Sequence, residues 1–599
     1  MADERGIAVA SFTRSATRPL DAAALVPGLT AFTAVVAAGF ASGGYFPSAW
    51  GWAALAFALL TLLGVLAGDR VELEVREWAA VTLLAALGVW TLVSVLWSPS
   101  AAQPVLAFER IAVYVLALLA VLLVCRPGTS AGLLAGVLAG TVLVSGYGLL
   151  TYSGAGRLAG PVGYANGAGI LAVLGMLVAL GLAANVPSRA GRAVSFGAVP
   201  LLAATVHLTF SRGSWLALAA GLCVALLVDV RRMRLLAVLL LACAAPALAV
   251  WLAGVEATGD RLGVAVVAAT VIALAIGWEL PKLQRAGMGT RGRRLAGAAV
   301  LFVVAAAVLG TLAIAGGPRR IARPLPSGGD LDARLLSASS DGRSAYWRVA
   351  WDEARAHPVL GGGAGSFAGN WLLLRSTDLQ TQNAHNLYLE TLAELGPVGL
   401  ALLLAVFAVP LGAVRRARGH PAATAGSAAF AAFAVHAAVD WDFQLVAVTL
   451  AALFCAAAVL VSARSAHEGT MRWRGRWIGG AVLAAAAALA IVAQIGNSAL
   501  AGSRSALDRD DPARAAQLAR RAERWQPWSF EPLEALGEAQ LAGGNVSAAR
   551  VSFRRALALD RPNATLWLEL ADASAGTARS QALAAARRLD PRGLGGTPG

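Results

Sequence analysis

His385 and Asn386 stand just before an apolar stretch, in the string NAHNLYLETLAELGPVG. A histidine titrates near neutral pH, and its neutral ring accepts a proton from a hydroxyl that is about to attack. On composition alone the position better suits an interfacial histidine that caps a helix or faces water. Upstream, RSAYWRVAWDEARA at 343–356 puts Tyr346, Trp347, Ala350, Trp351 and Ala354 at helical spacing on one face, with Arg348, Asp352 and Arg355 on another. This predicts a helix lying along the mouth of a bundle. His357 and Pro358 end it, and PVLGGGAGSF follows. The glycines from Gly361 to Gly365 permit a tight turn whose exposed amides can bind an anion. In a chain with 65 glycines a plain turn is the ordinary alternative. Asp440 and Asp442, in HAAVDWDFQ, form a compact acidic pair in a short gap, suited to a divalent ion, to orienting an arginine or to capping a helix.

The elements that must carry these residues are membrane helices. The 599 residues are 58% hydrophobic and 14% charged, against roughly 25% charged in an ordinary soluble domain. A helix needs about 20 mainly apolar residues to cross a bilayer. About fifteen such stretches run from position 24 to 498, the eleventh at 295–315 and the twelfth at 396–413. The expected fold is all-α, a polytopic transmembrane bundle of about 12–15 helices. A net charge of +15 raises nucleic-acid binding, but the arginines are scattered as short clusters between apolar stretches, which excludes it. The four cysteines all lie in apolar stretches and suggest neither a disulfide framework nor a zinc site. Arg5, Arg14 and Arg18 precede the first apolar run and no small-residue cleavage site follows, so that run is read as a first membrane helix rather than a removed signal peptide.

Sidedness follows from the basic residues, which stay in cytoplasmic loops. They fall in alternate gaps, at Arg70 and Arg76, Arg126, Arg189 and Arg192, Arg231 to Arg234, Lys282 to Arg294, Arg415 to Arg418, and Arg464 to Arg476. The opposite gaps are nearly free of them apart from Arg157, Arg212, Arg261 and a long loop at 316–395. The expected organisation is a cytoplasmic segment at 1–23, a membrane domain at 24–499 in the plasma (inner) membrane, and a soluble helical domain at 500–599. The long loop and the C-terminal domain are both expected outside the cytoplasm. The C-terminal segment repeats: RRAERWQP, RRALALDRP and AAARRLDP end at Pro527, Pro562 and Pro591. Leu536, Gly537, Ala549, Phe553 and Ala556 stand at offsets that resemble the tetratricopeptide pattern.

Four strings together resemble the O-antigen ligase and polymerase superfamily of bacterial membrane proteins. They are GRLAGPVGYANGAGI with Arg157 and Asn166, TFSRGSWLAL with Arg212, Arg343 and Trp347 followed by HPVLGGGAGSF, and His385-Asn386 followed at fixed distance by Gly396 and Gly399. The resemblance covers about 90–460. Three consecutive loop glycines and the appended repeats depart from the minimal ligases. The resemblance implies transfer of a glycan from an undecaprenyl-diphosphate carrier to an acceptor hydroxyl on a polysaccharide, lipid or protein. The site would lie outside the cytoplasm, in surface polysaccharide assembly. It makes His385 the base, and Arg343 and Arg212 the groups that stabilise the departing diphosphate. Arg157, Asn166, Arg348, Asn386, Gly363 and Gly365 would bind substrate, without cofactor or metal. Ligase and polymerase are not separated by it. A transporter or scaffold that recruits an envelope protein through the repeats is a reading from another class, against which stands the lack of evident internal duplication. The repeats contribute nothing to the four strings and are expected to be separable from the chemistry, recruiting a partner.

Overall fold

A bilayer core offers no water to backbone groups, so an apolar chain must close its hydrogen bonds within helices. The computed structural model describes residues 22–67, 73–154, 156–253, 260–285, 342–465 and 476–593, and every regular element among them is helical. Among the described residues ten α-helices precede the long loop: α1 (Ala22–Phe40), α2 (Pro47–Ala67), α3 (Val75–Val93), α4 (Ala102–Val124), α5 (Ser130–Leu150), α6 (Ala165–Asn185), α7 (Arg189–Leu208), α8 (Arg212–Val228), α9 (Arg232–Ala253) and α10 (Asp260–Arg285). The loop contributes α11 (Arg343–Ala356) and α12 (Ser366–Leu374). Then come α13 (Leu387–Ala417), α14 (Pro421–His436), α15 (Val446–Ser462) and α16 (Arg476–Asp508). All the expected apolar stretches coincide with helices except the eleventh, which lies outside the described residues, as does 316–341 of the loop. Eight of the described helices are each long and apolar enough to span a membrane, and four more are shorter and apolar.

The bundle has two polar faces separated by apolar packing. On one, Arg464 donates to Glu77 Oε1 (2.8 Å) and to the carbonyls of Cys125 and Leu122 (2.9 and 2.7 Å), and Ser465 N donates to Glu74 Oε1 (2.7 Å). Asp229 there accepts from Asn185 and Thr424 at 2.7 and 3.0 Å. The opposite face, which carries α11 and α12, gathers the other set of interhelical gaps. Between the faces, α6 and α15 are apolar all round and almost wholly buried, as expected for helices at a bundle's centre. Small residues let them be crossed closely: a Cβ on Gly181 would lie 2.6 Å from that of Ala425 in α14.

Helix α13 is broken at Gly396, whose φ of 67° and ψ of −171° are not helical. The part beyond the break matches the expected span at 396–413, and the nine residues before it carry Glu390 and Glu394 in the polar layer. Helix α11 occupies the expected 343–356. Its buried face is Tyr346, Val349, Ala350, Glu353 and Ala354, so Trp351, placed by spacing on the apolar face, is 51% exposed and Glu353 takes the inner position instead.

Helix α16 has 33 residues, about 50 Å at ~1.5 Å per residue, against ~30 Å of hydrocarbon. It runs straight through the expected boundary at 499/500 and pairs with α17 (Pro512–Trp525). Two further pairs follow, α18 (Glu531–Ala542) with α19 (Val546–Leu559), and α20 (Ala564–Asp572) with α21 (Gly576–Leu589). Phe530, Leu533, Phe553, Leu566 and Leu570 make their shared core, which also takes in Ala102 of α4. A Cβ on Gly537 would lie 2.5 Å from Phe553 Cε1, so this glycine lets α18 and α19 approach closely.

Candidate functional site

The face that carries α11 holds a polar cluster built on Asp440, in the turn between α14 and α15. Its carboxylate is 1% exposed and meets Arg343 Nη2 at 2.7 Å. Tyr164 donates its hydroxyl to Asp440 Oδ1 at 2.7 Å, and the Trp441 amide donates to the same oxygen at 2.9 Å. Asn166, in the first turn of α6, donates to the Tyr164 hydroxyl (2.9 Å) and to Asp440 Oδ2. Arg157 in turn donates to Asn166 Oδ1 and, through Nε, to the Thr209 carbonyl at 2.7 Å. Burial opposes the charge on Asp440, but Arg343, His436 and His385 outweigh it and hold the carboxyl below its ordinary range. Tyr164 is pushed the other way, by burial first and then by the Asp440 charge, so its hydroxyl stays protonated.

His385 borders this cluster. Its ring lies against Tyr346 of α11, with centroids 5.1 Å apart. Nδ1 is 3.1 Å from the Asn383 carbonyl. A carbonyl only accepts, so in the neutral ring the proton sits on Nδ1 and Nε2 keeps its lone pair. Burial lowers the histidine pKa against the opposing pull of Asp440, which favours that neutral form. The backbone of His385 has φ +53°, a left-handed conformation that costs a residue with a Cβ about 1–3 kcal/mol and tends to persist at working sites.

The structure therefore brings Arg157, Asn166, Arg343 and His385 together. Arg212 opens α8 beside a second buried set: His436 Nδ1 lies 2.9 Å from Asp442 Oδ1, and His436 Nε2 lies 3.5 Å from Ser214 Oγ. The remaining expected residues have other positions. Asn386 caps α13, its Oδ1 accepting from the Leu389 amide at 3.0 Å. Arg348 is exposed on α11. The amides of Gly362 and Gly363 donate to the carbonyls of Ala393 and Glu394 at 2.9 and 2.8 Å, and the Phe367 amide donates to the Glu394 carboxylate at 3.3 Å. The loop thus spends the Gly362, Gly363 and Phe367 donors on α13. The glycines are required by close contact with the start of α4 and the turn before it. A Cβ on Gly363 (φ +94°) would lie 2.4 Å from Ser98 Cα, and one on Gly365 (φ +83°) 2.4 Å from Gln103 Cβ.

The sequence offered Asp440 as half of an acidic pair suited, among other roles, to orienting an arginine, and that arginine is Arg343. The two carboxylates in fact face different partners, Arg343 and His436. Tyr164 and His436 were not singled out, although both sit inside strings that were quoted. A cavity of about 780 Å³ is lined by Arg520, Arg524, Leu533 and Arg555 of the repeats and by none of these residues.

No curated protein matches the chain. The family model described as O-antigen ligase matches residues 246–404. That span includes Arg343, Arg348, Gly363, Gly365, His385 and Asn386 and stops short of Asp440. The chain has the helices of a multi-pass membrane protein, and over residues 246–404, about a quarter of its length, which include the loop that borders the Asp440 cluster, it is similar to O-antigen ligases.

Proposed function

We propose that the protein transfers a glycan from an undecaprenyl-diphosphate carrier to an acceptor hydroxyl, on the extracytoplasmic side of the plasma membrane, as a ligase. The observation that carries this reading is the hydrogen-bonded set of Arg157, Asn166, Asp440 and Arg343, drawn from three gaps of one face, with His385 at its edge against Tyr346. His385 Nε2 takes the acceptor proton as the oxygen attacks the anomeric carbon. The bond from that carbon to the phosphate oxygen breaks, and the diphosphate leaves with the electron pair. Arg343 gives one amino group to Asp440, while its Nε is buried without a protein acceptor. It supplies fixed positive charge for the growing negative charge of the leaving group, and Arg212 adds to it from the start of α8. Groups held in place before the reaction stabilise such charge without reorganisation.

Purified protein should move a glycan from a polyprenyl-diphosphate donor to an acceptor with the carrier diphosphate as co-product, and EDTA should leave the rate unchanged. Loss of transfer in EDTA with recovery on adding a divalent ion would assign Asp440 or Asp442 to a metal. Polymerase chemistry makes the same bonds with a carrier-linked acceptor. Gene deletion separates the two: loss of attachment with accumulated carrier-linked glycan means ligase, and short chains still attached mean polymerase.

The sidedness has its own test. Cysteines at Ser376 and Ser547, both exposed, should react with a membrane-impermeant thiol reagent in intact cells. Reaction of both only after lysis would place the site on the cytoplasmic side.

A further inference from the structure

Arg375 and Asp590 lie outside the chemistry described above, one at the end of α12 and the other just after α21. The Arg375 side chain is 2% exposed. It gives Nη2 to the two oxygens of Asp590 at 2.8 and 2.9 Å, and Nη1 to the Asp378 carbonyl at 3.0 Å. Desolvation offsets much of the attraction in a buried pair, so such a pair contributes more to a fixed geometry than to stability.

The geometry fixed here leads to His385. The Leu379 carbonyl accepts from Trp371 Nε1 at 2.9 Å and from Arg375 Nη1 at 3.4 Å. Trp371, fully buried, meets Tyr346 edge-on with centroids 4.6 Å apart, and Tyr346 lies against the His385 ring. The chain from Arg375 to Asn386 has no regular backbone structure, so side-chain contacts set its course. The repeats are held at a second place as well: Gln526 donates to Asn497 of α16 at 2.5 Å, Asn497 donates to Glu109 of α4 at 3.1 Å, and Ala102 of α4 packs into the core of the repeats. Asp590 is thereby mounted on a domain braced against the bundle.

We infer that the C-terminal repeats are a positioning element of the site: Asp590, acting through Arg375 and Trp371, sets the orientation of the His385 ring. The inference rests on His385 being the base, and it makes the repeats inseparable from the chemistry, contrary to the expectation from sequence.

The test uses the full-length protein carrying Asp590→Asn, which keeps the side-chain size and removes the charge. Two quantities are read: amide hydrogen exchange across 376–386, and the pH dependence of turnover. Exchange should rise about tenfold or more as the segment opens locally, and kcat should fall about tenfold with KM for the carrier unchanged. The charged groups around the ring are Arg343, Asp440 and Asp442. With these in place, loosening the ring relieves its burial, so the acid limb of the profile should move up in pH. Arg375→Asp combined with Asp590→Arg should recover part of both properties. Unchanged exchange overturns the inference, and so does faster exchange with wild-type kcat and pH profile. If Asp590→Asn does not insert, Arg375→Lys, which keeps charge and loses the planar fork, is read by the same criteria. Exchange does not depend on transfer. A loosened segment in Asp590→Asn beside full activity in His385→Ala would therefore refute the base, with the mechanical link intact.

Discussion

His385→Ala lowers turnover by roughly 10²- to 10⁴-fold, the usual worth of general acid–base catalysis, and leaves carrier binding close to wild type. Nδ1 is committed to the Asn383 carbonyl, so removal of the ring deletes the Nε2 acceptor and little of the polar cluster that would hold a diphosphate. The pH dependence adds a sign. A base works in its neutral form, and burial keeps the His385 pKa below the ordinary histidine value. Transfer in the wild type should therefore persist as pH falls through about 6.5 and decline only below it, as the ring protonates. In the variant that limb should vanish, leaving a slow and flat profile. A properly inserted His385→Ala protein with wild-type turnover would make the residue an interfacial histidine and move the search for a base elsewhere on the loop.

What the sequence revealed depended on the range of the interactions involved. Apolar stretches are a local property, and helices formed wherever they were expected among the described residues. Helix α13 shows where a local reading stops. Hydropathy begins at 396, but the helix begins at Leu387, because LYLETLAEL has helix-forming residues with two glutamates that remain in the polar layer. The glycine run shows a different limit. Its composition suits an anion cradle, but its use was decided by the backbone it must cross: a Cβ on Gly361 would lie 2.4 Å from the Glu394 carbonyl, and one on Gly396 2.5 Å from the Val359 oxygen. Two main chains touch there, and glycine is what permits it.

The site itself divides along the same line. Arg157, Asn166, Arg343 and His385 could be singled out from residue type, sidedness and the resemblance of their strings. Their meeting point could not, because Asp440 is 97 residues from Arg343 and 274 from Asn166. Nothing in HAAVDWDFQ indicates that one aspartate serves an arginine and the other a histidine. The alternation of the gaps did carry information about their meeting: they all belong to one face. The pairing of Asp590 with Arg375 also depends on that. Among the described residues four α-helices, α13 to α16, separate the loop from the repeats, an even number, and a buried ion pair between them requires both to lie on the same face.

Asp440→Asn should be the most damaging single change in the cluster, in stability and in activity together. The replacement keeps nearly the same shape and can still accept a hydrogen bond, but it leaves the Arg343 guanidinium, whose side chain is 17% exposed, without its counter-charge. Removing one partner of a buried pair costs about 3–5 kcal/mol, most of it the uncompensated charge left behind. Arg343→Ala should cost a similar amount for the converse reason, since Asp440 is then charged and fully enclosed. The combined variant is the informative one. With both charges gone neither is stranded, so its stability should lie above the sum of the two losses by about 0.5–3 kcal/mol, as for residues in contact. Its turnover should stay low, because the charge facing the leaving diphosphate is also gone. Arg343→Lys should retain the pairing charge but recover activity only in part, since an ammonium lacks the planar fork that holds two oxygens at once. Denaturation of the four proteins in detergent, with turnover measured on the same preparations, tests the whole set. Additive losses in the double variant would mean that Asp440 and Arg343 do not act as a pair. Wild-type turnover in Asp440→Asn would remove the cluster from the reaction.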